Sequence, residues 1–262
     1  MRILLNGRAP PWRTWAAVVF RLLAAVAPAC LAPAAGAATS EWRDVESRIQ
    51  YAFYTEDART LERLAAGLAA EEAQPGLRDY YVALAAWRQA QLRPAQDGAG
   101  AAQLAGQCVQ SLDAFLSAQA DSAEGLALRA ACAAVPLAGG GLHAPFALHR
   151  PRRDLERALQ LAGRNPRVLL IDASLDEELA AGQGGNRERA LTKLRRAVNA
   201  FEAERADTEP LPGWGAAEAY LYLARSLLAH SDALGARDAL ERALLLAPQY
   251  AQARRLLAQL TA

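Results

Sequence analysis

The chain has 262 residues, 53% of them hydrophobic but only 6% aromatic, so alanine and leucine supply most of the apolar surface. Such a composition favours close helix–helix contacts and argues against a sheet core, which would need runs of Val, Ile, Thr and Tyr. The formal net charge of +1 hides an asymmetry: residues 1–37 carry Arg2, Arg8, Arg13 and Arg21 and no acid, and taking these four from 29 basic residues leaves 25 against 28 acidic, a net of −3. A body of that charge has no basic footprint for nucleic acid.

The first 37 residues have the layout of a secretory signal peptide. The arginines lead, an Ala/Val/Leu stretch occupies 16–34, and Ala35-Gly36-Ala37 supplies the small-residue site, so cleavage is expected after Ala37. Two alternatives stay open: lipidation at Cys30, which lacks the usual large aliphatic residue before it, and retention as a membrane anchor, against which Arg21, Pro28 and Pro33 interrupt the run. All three readings place residues 38–262 outside the cytoplasm, in the periplasm or beyond.

Ser40 is an expected N-cap, with Glu41 and Asp44 favouring the dipole of a helix that runs to about Phe53. Thr55-Glu56-Asp57 opens a second helix with Leu61, Leu64 and Leu68 on one face, and Pro75-Gly76 breaks it. A third helix, 77–92, sets Tyr80, Tyr81, Leu84, Trp87 and Leu92 at helical spacing, which reads as core packing, with a ligand surface as the alternative. After the loop 94–100 comes a helix over 101–119, then a capping signal, Asp121-Ser122-Ala123-Glu124, in which Glu124 is expected to reach back to the helix start. The helix it opens ends near Val135.

Residues 136–151 break the pattern with three consecutive glycines and His143 and His149; no phosphate-loop pattern follows them. The segment reads as an insertion between helices, or as a functional loop. A helix over 152–162 is followed by Asn165-Pro166, a helix start with Asn as cap and Pro in the first turn, running to about Ala181. The turn 182–186, a helix over 187–204 and the linker 209–213 lead to 214–250, which reads as two amphipathic helices closed by Pro248.

A short pattern recurs in the second helix of each pair: LeuGluArgLeu at 61, LeuAspAlaPhe at 112, LeuGluArgAla at 155, LeuArgArgAla at 194 and LeuGluArgAla at 240. The intervals of 51, 43, 39 and 46 residues all exceed the ~34 of the simplest two-helix repeat. Residues 217–250 resemble a tetratricopeptide repeat (TPR): Tyr220, Leu223, Ala224, Leu227, Ala236, Leu240, Ala243 and Pro248 stand where that family's large-and-small pattern requires them. The match is partial over 123–162, where Arg129 replaces the expected Leu, and rests on helical pairing alone over 41–119. AsnProArg at 165, GlyGly at 184 and TrpGly at 214 are similar to marks in secreted bacterial TPR proteins of unassigned role.

The resemblance implies an all-α fold without sheet, a right-handed superhelical solenoid of antiparallel helix pairs over 38–262, with 249–261 as a capping helix. It implies a concave groove lined by the first helices, to which Glu218, Leu221 and Arg225 contribute, with Arg225 suited to a carboxylate and Leu221 to an apolar side chain. The first helix of this unit has no Asn or Lys, so the clamp that binds chaperone C-terminal carboxylates does not transfer.

Other chemistry is sparse. Cys108 and Cys132 lie 12 residues either side of Ala120, level with each other if their helices form a hairpin, so a disulfide and two small buried apolar residues both fit. His143, His149 and His230 lack metal-site spacing, and Asp172 with Asp176 reads as solvated charge on a helix face. No Gly-x-Ser-x-Gly elbow is present. The expectation is a non-catalytic protein–protein interaction scaffold of the cell envelope with no cofactor and no metal, holding a protein or peptide; membrane contact would follow only from a retained N-terminal segment or a lipidated Cys30. The alternative is a small-ligand binder or enzyme using the loop 136–151.

Overall fold

The computed structural model describes residues 35–70, 75–137, 148–178, 186–204 and 211–261. Among these residues it is all-α with no strand. Its helices are α1 (Ala35–Tyr54), α2 (Ala58–Ala69), α3 (Pro75–Leu92), α4 (Gly98–Ala118), α5 (Ala123–Ala134), α6 (His149–Ala162), α7 (Pro166–Glu178), α8 (Arg187–Ala203), α9 (Ala216–Ala229), α10 (Ala233–Leu246) and α11 (Ala251–Thr261). The chain divides into two units, Met1–Ala37 and Ala38–Ala262. Cys30, His143, most of the loop 136–151 and the turn 182–185 lie outside the described residues. No described helix is long and apolar enough to cross a membrane.

Short polar side chains start most helices, as their sequence positions require. Asp57 accepts from the Thr60 amide, Asp97 from Gly100, Ser122 from Gly125, Asn186 from Arg189 and Asp232 from Gly235. Each satisfies one amide that the first turn leaves without an intrahelical acceptor. Asn165 accepts from two amides, Arg167 and Val168, ahead of Pro166.

Three sequence expectations are corrected here. Ser40 lies inside α1, which has already begun at Ala35, because Ala35, Ala37 and Ala38 carry helix propensity upstream of it. Pro75 opens α3 instead of separating two helices, since its missing amide is no loss in a first turn. Glu124 does not fold back on its own helix start; its carboxylate accepts from Asn165 and Arg167 of the next pair. A charged guanidinium outcompetes a backbone amide for that oxygen.

Consecutive helices pack on one another, most extensively within the pairs α3–α4, α5–α6, α7–α8 and α9–α10. The first members of the pairs also touch across: α3 with α5, α5 with α7, and α7 with α9. They form the inner layer, and one hydrophobic core runs through it from Trp42 to Ala253. Gly215, just before α9, has φ +114°, and a Cβ there would meet the Phe201 ring at 2.7 Å. Glycine therefore supplies both the left-handed turn and the close approach of α8 to α9.

Candidate functional site

Glu218, Leu221 and Arg225 share α9 but not one environment. Glu218 and Leu221 are each 1% exposed, whereas Arg225 is exposed, bonds Gln252 at 2.8 Å and lies over the Tyr222 ring. The inner face that was expected to be an open groove wall is filled at this point by the chain's own α1 and α3. Glu218 and Leu221 are therefore core residues in this fold.

Every polar contact around Glu218 comes from within. Its Oε1 accepts from the Arg88 guanidinium and from Gln50 Nε2 at 2.9 Å, and its Oε2 accepts from the Tyr54 hydroxyl at 2.7 Å. Arg88, near the C-terminal end of α3, also donates to Gln50 Oε1 at 3.2 Å and to Gln91 Oε1 at 2.9 Å. Its guanidinium carbon lies 4.2, 4.7 and 5.1 Å from the ring centres of Phe53, Trp87 and Trp214. An arginine in this position is neutralised by one carboxylate and faced by three negative ring faces, each worth up to ~2 kcal/mol when desolvated. Burial, then the Glu218 charge beside it, holds the Tyr54 hydroxyl well above its ordinary range, so it remains a donor.

One turn earlier on α1, Glu46 makes a second tie. Tyr81 donates to its Oε2 at 2.9 Å and the Gly213 amide lies 2.9 and 3.0 Å from its two oxygens. Burial pushes this carboxyl up to about 7, against the pull of those two donors. Trp42 stacks on Tyr81 at 5.5 Å, and Tyr54 packs on Tyr250 at 4.5 Å. Through these contacts α1 spans the inner layer from α3 to the start of α11.

Arg167, at the start of α7, organises the neighbouring region. It bonds Glu124 of α5, Glu204 after α8, and the Trp214 carbonyl. Burial works against its charge, but Glu124 and Glu204 outweigh that and hold the guanidinium above its ordinary value. Trp214 in turn donates from Nε1 to the Tyr80 hydroxyl at 2.9 Å. The aromatic stripe of α3, Tyr80, Tyr81, Leu84 and Trp87, is buried as core.

The sequence pattern named Arg167 only within the AsnProArg mark at 165, and Arg88, Glu46, Gln50 and Tyr54 not at all. A signal existed. Glu46, Gln50 and Tyr54 repeat every four residues beside Trp42, Ile49 and Phe53, which sets a polar stripe next to an apolar one on the same helix. Arg88 follows an uninterrupted apolar run, Tyr80 to Trp87, where a solvated charge would be out of place.

The remaining candidates are structural. Cys108 of α4 and Cys132 of α5 are joined as a disulfide, with Cα atoms 6.1 Å apart, and both are fully buried. Asp172 and Asp176 are not solvated carboxylates: Lys193 bonds them at 2.6 and 2.8 Å, and Arg189 pairs with Asp176. His230 pairs with the Ser226 carbonyl and Glu188. No group of three His, Cys, Asp or Glu side chains with metal-holding geometry occurs among the described residues.

Clefts at the surface of the described residues include two of sizeable volume. One of about 490 Å³ lies between α2, α3 and α4, with Ala65, Ala66, Ala69, Val82 and Ala86 beneath and glutamines along its wall. The other, about 370 Å³, has Leu148, Pro151, Leu155, Leu159 and Leu175 beside the Asp172–Lys193–Asp176 group. No protein-family model matches the chain, and no curated protein matches it.

Proposed function

We propose that residues 38–262 form a tetratricopeptide-like array acting as a non-catalytic interaction scaffold in the cell envelope, after removal of the N-terminal segment. The observation that carries this reading is the last helix pair. Ala224, Ala236 and Ala243, the small positions of the repeat pattern, are each 0% exposed, and Leu240 with them. Small residues at these sites let α9 and α10 approach, which is the use that the pattern predicts for them. Pairs stacked through an inner layer of first helices offer long outer surfaces for a partner.

The closed inner layer moves the expected partner surface outward, from the face of Glu218 and Leu221 to the surface clefts. The experiment is a crosslinking pull-down from envelope extract with the tagged full chain. A protein captured in proportion to bait, and competed by untagged chain, supports the scaffold. Stabilisation by a specific small molecule with no captured protein overturns it. That second reading, a small-ligand binder, is favoured by the 370 Å³ cleft, whose Leu148 and Pro151 belong to the end of the segment 136–151.

A further inference from the structure

We propose that His230 is a pH-sensitive clasp: its imidazolium form ties the C-terminal end of α9 to the first turn of α8, and loss of the proton releases that tie. Both ring nitrogens face acceptors. Nδ1 lies 2.7 Å from the Ser226 carbonyl oxygen, and Nε2 lies 3.1 Å from Glu188 Oε1. A neutral imidazole carries one N–H, so in either tautomer one of these contacts sets a ring lone pair against an oxygen lone pair. Only the doubly protonated ring donates to both.

The local fold sets the ring in place. His230 is the C-cap of α9, where the last carbonyls lack intrahelical donors and the helix dipole favours a positive charge. The chain then turns sharply: Ser231 has φ +64°, and the Asp232 amide returns to the Leu227 carbonyl at 2.9 Å. The two acceptors differ in how they are held. The Ser226 carbonyl belongs to α9 itself, and Ser226 has no exposed surface. The Glu188 side chain is 83% exposed, so it swings into water at little cost once the ring is neutral. Deprotonation therefore keeps the contact within α9 and loses the one between helices.

The surrounding charges favour the proton. Glu188 comes from α8 and Glu177 from α7, and Glu177 Oε2 is buried without a hydrogen-bond partner among the described residues. Asp232, ahead of α10, is occupied in capping the Gly235 amide. Of the basic groups, Arg189 and Lys193 of α8 pair with Asp176, and Arg225 of α9 bonds Gln252. The Ser226 carbonyl, and with it Glu188 and Glu177, hold the ring's proton above the ordinary value of 6.5, against the opposing effect of burial. A raised folded value means that the clasp contributes fully below pH 6.5 and is lost as pH rises through that folded value. Because α8 and α9 belong to successive pairs, this proton bears on how firmly the last pair is held to the one before it, whatever the chain binds.

The test is an NMR titration of the histidine rings from about pH 5 to 9, with amide exchange followed over the same range. It is run in a Glu46→Gln background, which removes the buried carboxyl that titrates in this interval. His230→Gln identifies the ring signal among those of the three histidines. The midpoint of His230 is expected above 6.5 and should fall in Glu188→Gln, a change at an exposed position that leaves the core intact. Protection factors of the Arg189 and Ala190 amides, which bond Asn186 in the first turn of α8, should drop about two- to fivefold as His230 loses its proton. That drop should be absent in Glu188→Gln and in His230→Gln. A midpoint at or below 6.5, a midpoint that Glu188→Gln does not move, or protection indifferent to pH would each overturn the clasp. A drop of the same size in Glu188→Gln would trace it to another group and overturn the clasp as well.

Discussion

At the centre of the molecule α1, α3 and α9 meet through Arg88, Glu218, Gln50 and Tyr54 under three aromatic rings. In the pair α9–α10 the helices meet through Ala224, Ala236 and Ala243, with no buried charge between them. Both regions are dry, but they fail in different ways. The centre depends on complementary groups, each of which is costly without its partner. The hairpin depends on the absence of bulk. The same helix, α9, serves both, with Glu218 toward one and Ala224 toward the other.

Breaking the centre should have the largest effect. Arg88→Ala leaves the Glu218 carboxylate buried with no counter-ion, and a loss of about 3–5 kcal/mol is expected in urea unfolding. Replacing both partners, as Arg88→Met with Glu218→Leu, should cost less than the single change, because no uncompensated charge remains. A double variant whose loss equals the sum of the two single losses would mean that the pair is not coupled.

The second test concerns the tie one turn away. Glu46 has its folded value raised to about 7 from an ordinary 4.5. The folded state therefore holds a proton that the unfolded chain has released between these values, and the contribution of this group to stability is greatest below pH 4.5 and is lost as pH rises to about 7. The full loss is about 3 kcal/mol. Glu46→Gln, which cannot titrate, should flatten urea midpoints measured across that interval. Asp176 and Glu56, held below their ordinary values by Arg189 with Lys193 and by Arg255, act below the same window and with the opposite sign.

In the hairpin the sensitive property is volume. Ala236 has no exposed surface, so Ala236→Leu must push α9 and α10 apart, with an expected loss of about 1–3 kcal/mol. Ala236→Ser, similar in size, should cost less than Ala236→Leu if packing distance governs the site. Circular dichroism melts of the two variants give the comparison.

The same contrast explains how much was legible in the sequence. The hairpin could be read because its rule is local: small and large residues at fixed spacing within 34 positions. Some helix starts were legible for the same reason, since Asp57, Ser122 and Asn165 act on amides two or three residues away, whereas the starts of α1 and α3 were not. The centre could not be read this way. Arg88 and Glu218 are 130 residues apart, and Gln50 and Glu218 are 168 apart. The apolar run before Arg88 marks it as out of place in solvent but does not name its partner, and only the docking of α1 shows that Glu218 faces a filled interior. Glu218 was assigned to an open groove because the repeat pattern specifies which face of α9 points inward, but not what occupies the space it points into.

The smallest effect is expected where the two ends of that docked helix system reach solvent. Glu56, just past α1, accepts a two-pronged contact from Arg255 of α11, and the Arg255 side chain is 58% exposed. Exposed pairs of this kind contribute under about 1 kcal/mol, because water screens the charges and ordering two side chains offsets the attraction. Arg255→Ala should therefore shift the urea midpoint only slightly, and the shift should vanish in high salt. A large, salt-insensitive loss would mean that α11 holds α1 in place through this pair. The aromatic contacts of Tyr250 with Phe53 and Tyr54 would then be secondary, although the geometry makes them the principal seal, with ring centres 6.1 and 4.5 Å apart and Tyr250 only 1% exposed.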